Sequence, residues 1–350
     1  SICSLFGQNI KGTILDLDTK KPLENATVYF KKDNLGTATN KKGFFNLKLK
    51  SNLKSTDRIQ FSFIGYQSKT YTFLELKKLN FIVSLARKSE NLEEVIIKSN
   101  QQLKLEIAYQ ELASLKTGVY SFGATIIDDK IYVIAGDVSF IENSLKKALD
   151  DAGSDPKSTF GDFLGKIKAD FTREKYNSKL QTYNLENNTW QVSNLTFKKR
   201  AYHKVNSFKN NLYVFGGKTL SANKKYEYLD NTIEVFDINT QQIAIDKTNP
   251  HQAINFASAT YQDNIIVIGG STKLKKNGNK IYSDKTHIYN ITSGLWYELP
   301  KMLQAKEVNG VLVKNKIYLI GGFNKKALST IESYDFTTGK WKKEGNLFNG

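Results

Sequence analysis

The sequence predicts an all-β protein in two parts, a small β-sandwich followed by a larger domain of repeated antiparallel sheets. Three observations predict it. Short apolar segments alternate with period two between Gly and Pro punctuation. Aromatic residues make up 12% of the 350, and Gly numbers 23 against 4 Pro, a composition that suits Gly-based turns and a packed interior. One pattern of Gly, Tyr and Trp recurs four times in the second part at a period near fifty residues, the mark of a repeat architecture.

The first part runs over about 9–96. Ile10–Leu15, Ala26–Phe30, Phe44–Leu49 and Ile59–Phe63 read as strands, with Ala26, Val28 and Phe30 on one face and Ile59, Phe61 and Phe63 on another. Asp18-Thr-Lys-Lys-Pro22 is a loop set by Pro, and Gly36 and Gly43 are expected to supply backbone freedom at tight bends. Gly12 with Asp16, Pro22-Leu23, Ala26 with Val28, Gly36-Thr37 with Thr39-Asn40, Gly43-Phe44, Ile64-Gly65-Tyr66 and the closing Leu92-Glu-Glu-Val-Ile96 resemble the carboxypeptidase-regulatory-like domain. The resemblance implies a transthyretin-like sandwich of seven or so strands without catalysis, found at the N-termini of exported and outer-membrane proteins of the Bacteroidetes group. Residues 97–119 are a polar linker, in which Leu103, Ile107, Leu112 and Leu115 at near-helical spacing predict a short helix.

From 120 to 350 four segments share one plan: an apolar strand ending in a glycine pair, a variable loop, a strand bearing Tyr or Phe, and a strand bearing Trp. The glycine endings are Ala135-Gly136, Gly216-Gly217, Gly269-Gly270 and Gly321-Gly322. The aromatic marks are Tyr183 with Trp190, Phe236 with Ile243, Tyr289 with Trp296, and Tyr334 with Trp341, seven residues apart in every copy. Glycine pairs permit close backbone approach at a strand end, while Tyr and Trp fill the space between stacked sheets. Ala135 and Ile243 are the two departures, and both are expected to be tolerated as compact apolar side chains. These residues, with Tyr334-Asp-Phe-Thr-Thr-Gly339 and Arg200-Ala-Tyr-His203, resemble the kelch family, whose fold is a β-propeller of four-stranded blades. The fold class is therefore a small β-sandwich followed by a kelch-type β-propeller with four repeats visible. Either the chain is truncated at both ends, with Leu347-Phe-Asn-Gly350 entering a fifth blade, or it closes a ring of four or five.

The longest departure from the repeat is an insertion at about 138–178, in which 141–149 and 162–171 have helical spacing. Insertions there lie on a face that kelch proteins use for partners, so this segment is either a contact surface or a cap over the propeller. On the same face, by the resemblance, lie loops 218–231 and 271–285, rich in Lys and Tyr. Lys224, Lys225, Tyr226 and Tyr228 suit an anionic or carbohydrate ligand, or else form a solvated loop.

No catalytic constellation is visible. His203, His251 and His287 share no metal-ligand spacing, no nucleophile motif occurs, and no cofactor or metal is expected. Gly216-Gly-Lys-Thr219 lacks the first glycine of a P-loop. Sialic acid epimerases within the kelch family need acid–base groups in the channel, and His203 with Arg200 could supply them here, while Arg200, Tyr202 and His203 are together candidate ligand-binding residues. Their alternative role is the structural blade-opening pattern.

A formal charge of +17 raises nucleic acid as a partner, but the Lys residues are scattered and no basic block interleaves with aromatics, so none is expected. The single cysteine, Cys3, allows no intrachain disulfide. Residues 1–8 resemble the end of a signal peptide cut near Phe6-Gly7-Gln8, or a lipid-modified Cys3. The expectation is an exported, non-catalytic binding protein in the periplasm, at the outer-membrane surface or secreted, with a protein or glycan partner at the cell envelope and a possible outer-membrane association. The enzyme-class alternative is a sialic acid-type epimerase or mutarotase.

Overall fold

The computed structural model describes residues 9–49, 53–88, 109–139, 149, 159–166, 175–223, 226–274 and 280–348. They form two compact bodies, one holding the sandwich with the third and fourth repeated sheets, the other holding the first and second with the segment Gly270–Tyr282.

The sandwich comprises β1 (Asn9–Asp16), β2 (Thr27–Phe30), β3 (Leu35–Ala38), β4 (Phe44–Lys48), β5 (Arg58–Ser62), β6 (Lys69–Thr72), helix α1 (Phe73–Lys78) and β7 (Ile82–Leu85). One sheet has the order β4-β1-β7 and the other β3-β2-β5-β6. Alternation decides which side chains enter: Ile10, Ile14, Val28, Phe30, Phe45, Leu47, Ile59 and Phe61 form one buried cluster. Phe61 meets Phe45 edge-on with ring centroids 5.8 Å apart. The capping box of α1, in which Thr72 Oγ1 accepts from the Glu75 N–H at 3.2 Å and Glu75 Oε2 accepts from the Thr72 N–H at 2.7 Å, explains a helix inside a β-domain.

Asp16, buried at the end of β1, accepts from the Tyr66 hydroxyl (2.6 Å), Arg87 Nε (3.0 Å) and the backbone N–H groups of Asp18 and Thr19. Burial alone would push its carboxyl up. The Thr19 N–H, the Tyr66 hydroxyl and the Arg87 guanidinium outweigh that and hold it well below the usual carboxylate range. Gly43 has φ +69 and takes the expected bend. Gly36 does not: it lies within β3 opposite Tyr29, and a Cβ there would stand 3.2 Å from Leu295 Cδ1 of the third repeated sheet. Its smallness serves packing rather than a turn.

Each repeated sheet is a four-stranded antiparallel meander. The first is β8 (Gly123–Ile127), β9 (Lys130–Asp137), β10 (Tyr176–Asn184) and β11 (Thr189–Thr196), with helix α2 (Phe160–Lys166) between β9 and β10. The second is β12 (Lys204–Phe208), β13 (Asn211–Phe215), a two-stranded ribbon β14 (Lys218–Leu220) and β15 (Glu227–Leu229), then β16 (Ile233–Asp237) and β17 (Gln242–Asp246). The third is β18 (Ala257–Tyr261), β19 (Asn264–Ile268), the ribbon β20 (Ser271–Leu274) and β21 (Lys280–Tyr282), then β22 (Thr286–Asn290) and β23 (Leu295–Leu299). The fourth is β24 (Gly310–Val313), β25 (Lys316–Ile320), the ribbon β26 (Phe323–Asn324) and β27 (Lys326–Ala327), then β28 (Thr330–Asp335) and β29 (Lys340–Asn346).

The seven-residue spacing is a register. Tyr183 faces Trp190, Phe236 faces Ile243, Tyr289 faces Trp296 and Tyr334 faces Trp341 across the hairpin of the third and fourth strands. The three Tyr–Trp pairs hold centroid distances of 5.0, 5.0 and 5.2 Å. The Trp190 indole donates to Ala113 O at 2.7 Å, and the Trp341 indole donates to Pro300 O at 2.8 Å. Ala113 and Pro300 each stand ten residues before the first strand of their sheet.

Residues 109–119 carry no helix, contrary to the spacing of Leu112 and Leu115. Their backbone is held from outside instead. Asn188 accepts from the Ala113 N–H, and the Gln181 amide both accepts from the Thr117 N–H and donates to Thr117 O. Leu103 and Ile107, residues 1–8, the 92–96 motif and the 141–148 part of the insertion lie outside the described residues.

Candidate functional site

The glycine pairs organise the end of each sheet that carries the ribbons. At Gly216 and Gly217 φ is +62 and +81, the left-handed region that L side chains avoid. A Cβ on Gly217 would stand 2.5 Å from Ala201 O, because the next residue, Lys218, forms a bridge with Ala201 through both backbone groups. The bridge recurs as Tyr120 with Asp137, Ile254 with Ser271 and Glu307 with Phe323. The pairs Gly269 with Gly270 and Gly321 with Gly322 share the positive φ, as do Ala135 and Gly136. Ala135 thus keeps a methyl group in a conformation that the other copies give to Gly.

Arg200 and His203, the sequence's candidates for channel chemistry, are among the most buried residues of the chain, at 0% and 2% exposure. Arg200 Nη2 donates to Glu234 Oε2 at 2.7 Å and to Thr232 Oγ1 at 3.1 Å, and Nη1 donates to Gly216 O and Thr232 O. Lys306 takes the corresponding place before the fourth sheet, with Nζ 2.9 Å from Glu332 Oε1. His203 Nε2 lies 3.1 Å from Gly123 N and 3.0 Å from Ile134 O, within the contact of the first and second sheets. Burial, with the Arg200 charge second, lowers the His203 pKa to about 3, so the ring is neutral. Both side chains are taken up in these buried contacts, as the structural blade-opening role of Arg200-Ala-Tyr-His203 requires.

Tyr202, between them, is half-buried with φ +62, and Lys218 Nζ lies 4.7 Å over its ring. Lys218 also pairs with Glu227, which accepts from the Tyr176 hydroxyl. This cluster borders a groove of about 360 Å³ lined by Lys218, Glu227, Tyr228, Gln252, Ser271 and Thr272. Tyr226 and Tyr228 are 61% and 56% exposed. Lys224 and Lys225 fall outside the described residues. Sequence reasoning missed Tyr176, Glu227 and Gln252, which lie in no motif and are brought together only by folding. Among the described residues no group of three or more His, Cys, Asp or Glu could hold a metal ion, and no helix is long and apolar enough to cross a membrane.

Residues 10–97 match the CarboxypepD_reg-like domain family, and residues 167–332 match the Attractin/LZTR1 beta-propeller family. The chain joins a carboxypeptidase-regulatory-like domain to a kelch-type β-propeller. Its propeller is similar to Kelch repeat and BTB domain-containing protein 2 of cowpox virus (strain Brighton Red), 33% identical over 34% of this chain and 21% of the relative. It is also similar to Kelch-like protein 41a of Danio rerio, 30% identical over 41% and 23% of the two chains. Kelch repeat and BTB domain-containing protein 12 of Homo sapiens is 27% identical over 41% and 25%. The chain thus spans about a fifth to a quarter of the length of these relatives. The repeated sheets described above are the propeller's blades.

Proposed function

We propose that this protein is an exported, non-catalytic binding scaffold whose propeller holds a protein or glycan partner, at the cell envelope, on the face that carries the ribbons. The observation that carries the reading is a division of labour in the second blade. Arg200 and His203, the residues best suited to acid–base chemistry, are buried, while Tyr228 lines a groove with its ring exposed and Tyr226, two residues before it, is exposed as well. Exposed tyrosines on a rigid sheet supply contact area with little conformational cost. The kelch relatives support a protein-binding scaffold in general, and the regulatory-like domain supports an attachment role.

The test is a glycan array and an envelope-extract pull-down with three proteins: the parent, a Tyr226→Ala/Tyr228→Ala variant, and a variant in which residues 140–174 of the insertion, outside β9 and β10, are replaced by a Gly-Ser linker. Capture by the parent that is lost in either variant is the expected result. Turnover of sialic acid-type sugars by the parent, with no partner captured, would replace the scaffold reading with an epimerase.

A further inference from the structure

The repeat lets the wedge between the first and second blades be compared, position by position, with the wedge between the third and fourth. On the inner blade of each pair, Thr182, Gln191 and Ser193 correspond to Ile288, Tyr297 and Leu299. On the outer blade, Ile238 and Ile243 correspond to Phe336 and Trp341.

The third–fourth wedge is filled. Phe336 stacks on Tyr261 at 4.5 Å, and Trp341, Tyr297 and Leu299 pack on the same cluster. The sandwich closes what remains. Ile64 joins that cluster, Thr27 Oγ1 lies 2.9 Å from the Tyr297 hydroxyl, and between the sandwich and the third blade a space of only about 30 Å³ remains.

The first–second wedge is open. Smaller and more polar residues stand at the corresponding positions, and a cleft of about 410 Å³ remains, within the range of small-ligand pockets. Its polar lining is Thr182, Asn184, Gln191, Ser193 and Gln241 with one cation, Lys130, and no carboxylate. Tyr132 and Phe236 line it as aromatics. Amides and hydroxyls each donate and accept, the capacity that neutral polyhydroxyl compounds require. Two of the amides are pre-ordered: Asn184 Oδ1 accepts from the Glu186 N–H at 2.8 Å, and Gln241 Nε2 donates to Ile238 O at 2.6 Å. Each keeps its other end for a ligand. The lining is too polar for an apolar loop like the one that fills the other wedge.

We propose that the cleft between the first and second blades is a binding site for a neutral saccharide of one or two rings, held by Asn184, Gln191 and Gln241 beside Phe236 and Tyr132. It lies at the end of β9 that begins with Lys130, away from Gly136 and the ribbons, so it stands or falls independently of the ribbon face.

The test is saturation-transfer difference NMR on the full chain with methyl glycosides of glucose, galactose, mannose and N-acetylglucosamine and with cellobiose. Ile243→Trp restores the residue of the other three copies and sets a larger side chain beside Phe236 of the cleft lining. Gln191→Ala/Gln241→Ala changes two exposed side chains and keeps the variant set informative if the Trp variant misfolds. Transfer to at least one sugar by the parent, weakened by about tenfold or more in either folded variant, is expected. No transfer from any of these sugars, transfer unchanged in the variants, or binding in their place of a peptide copying residues 60–68 would overturn the proposal.

Discussion

Replacing Gly217 by Ala tests whether the glycine pair is what closes the ribbon end of a blade. At φ +81 an L side chain costs about 1–2 kcal/mol in backbone strain. The added Cβ would stand 2.5 Å from Ala201 O, a backbone atom that can move only by breaking the bridge to Lys218. That bridge consists of two hydrogen bonds, at 3.1 and 2.9 Å, with a net worth of about 1 kcal/mol each. Against this, Ala lowers the entropy of the unfolded chain by about 0.4–1 kcal/mol. The balance is a loss of about 3 kcal/mol, or a fall in Tm of about 6–12 °C for a domain of this size. Urea and thermal unfolding followed by far-UV circular dichroism measure it. Gly345→Ala is the control, since no heavy atom lies within 4 Å of its Cβ position, and it should be neutral or slightly stabilising. A loss for Gly217→Ala below about 1 kcal/mol, with the Ala201 and Lys218 amides still protected from hydrogen exchange, would refute the reasoning.

Arg200→Met leaves Glu234 and Asp230 without their buried cation and should cost about 3–5 kcal/mol in urea unfolding, with Glu234→Gln in the same background restoring part of it. His203 is neutral when folded, whereas the unfolded chain takes up a proton near pH 6.5. Its contribution is therefore complete above about 6.5 and declines as pH falls toward 3, with a slope approaching about 1.4 kcal/mol per unit. Urea midpoints of parent and His203→Phe at pH 7 and 4.5 should converge at the lower pH, and a constant difference would contradict this. Ile64→Asp places a charge against the third and fourth blades and should release the sandwich, seen as new proteolytic cleavage between the sandwich and the propeller with both domains still folded. Tyr297→Phe removes the bond to Thr27 and should cost about 1 kcal/mol.

The elements legible in the sequence are those whose signal is local. Alternation over Ala26–Phe30 and Ile59–Phe63 marks buried strand faces because the side-chain period of a strand is two. The seven-residue Tyr–Trp spacing is legible because both residues belong to one hairpin, where the turn sets the register. Helix α1 escaped the sequence reading, although Thr72-x-x-Glu75 has the capping-box spacing, because its six residues stand between two strands. Short strands with one partly covered face, such as Leu35–Ala38, lack a clean alternation and escape such reading. The apparent helical spacing near Leu112 and Leu115 fails for a related reason. Side chains from β10 and from the β10–β11 turn take its backbone groups.

By itself, then, the amino-acid sequence determined two β domains, the repeat, the hairpin register and the positions where only glycine is comfortable, all consequences of backbone geometry within a few residues. Tertiary structure decided the rest. Folding buried Arg200 and His203 among groups of the first and second blades. The groove beside Tyr228 gathers residues from separate ribbons. The meeting of Thr27 with Tyr297, 270 residues apart, leaves one interblade wedge filled while its counterpart stays open. Such outcomes depend on which distant surfaces exclude water together, and no local pattern encodes that.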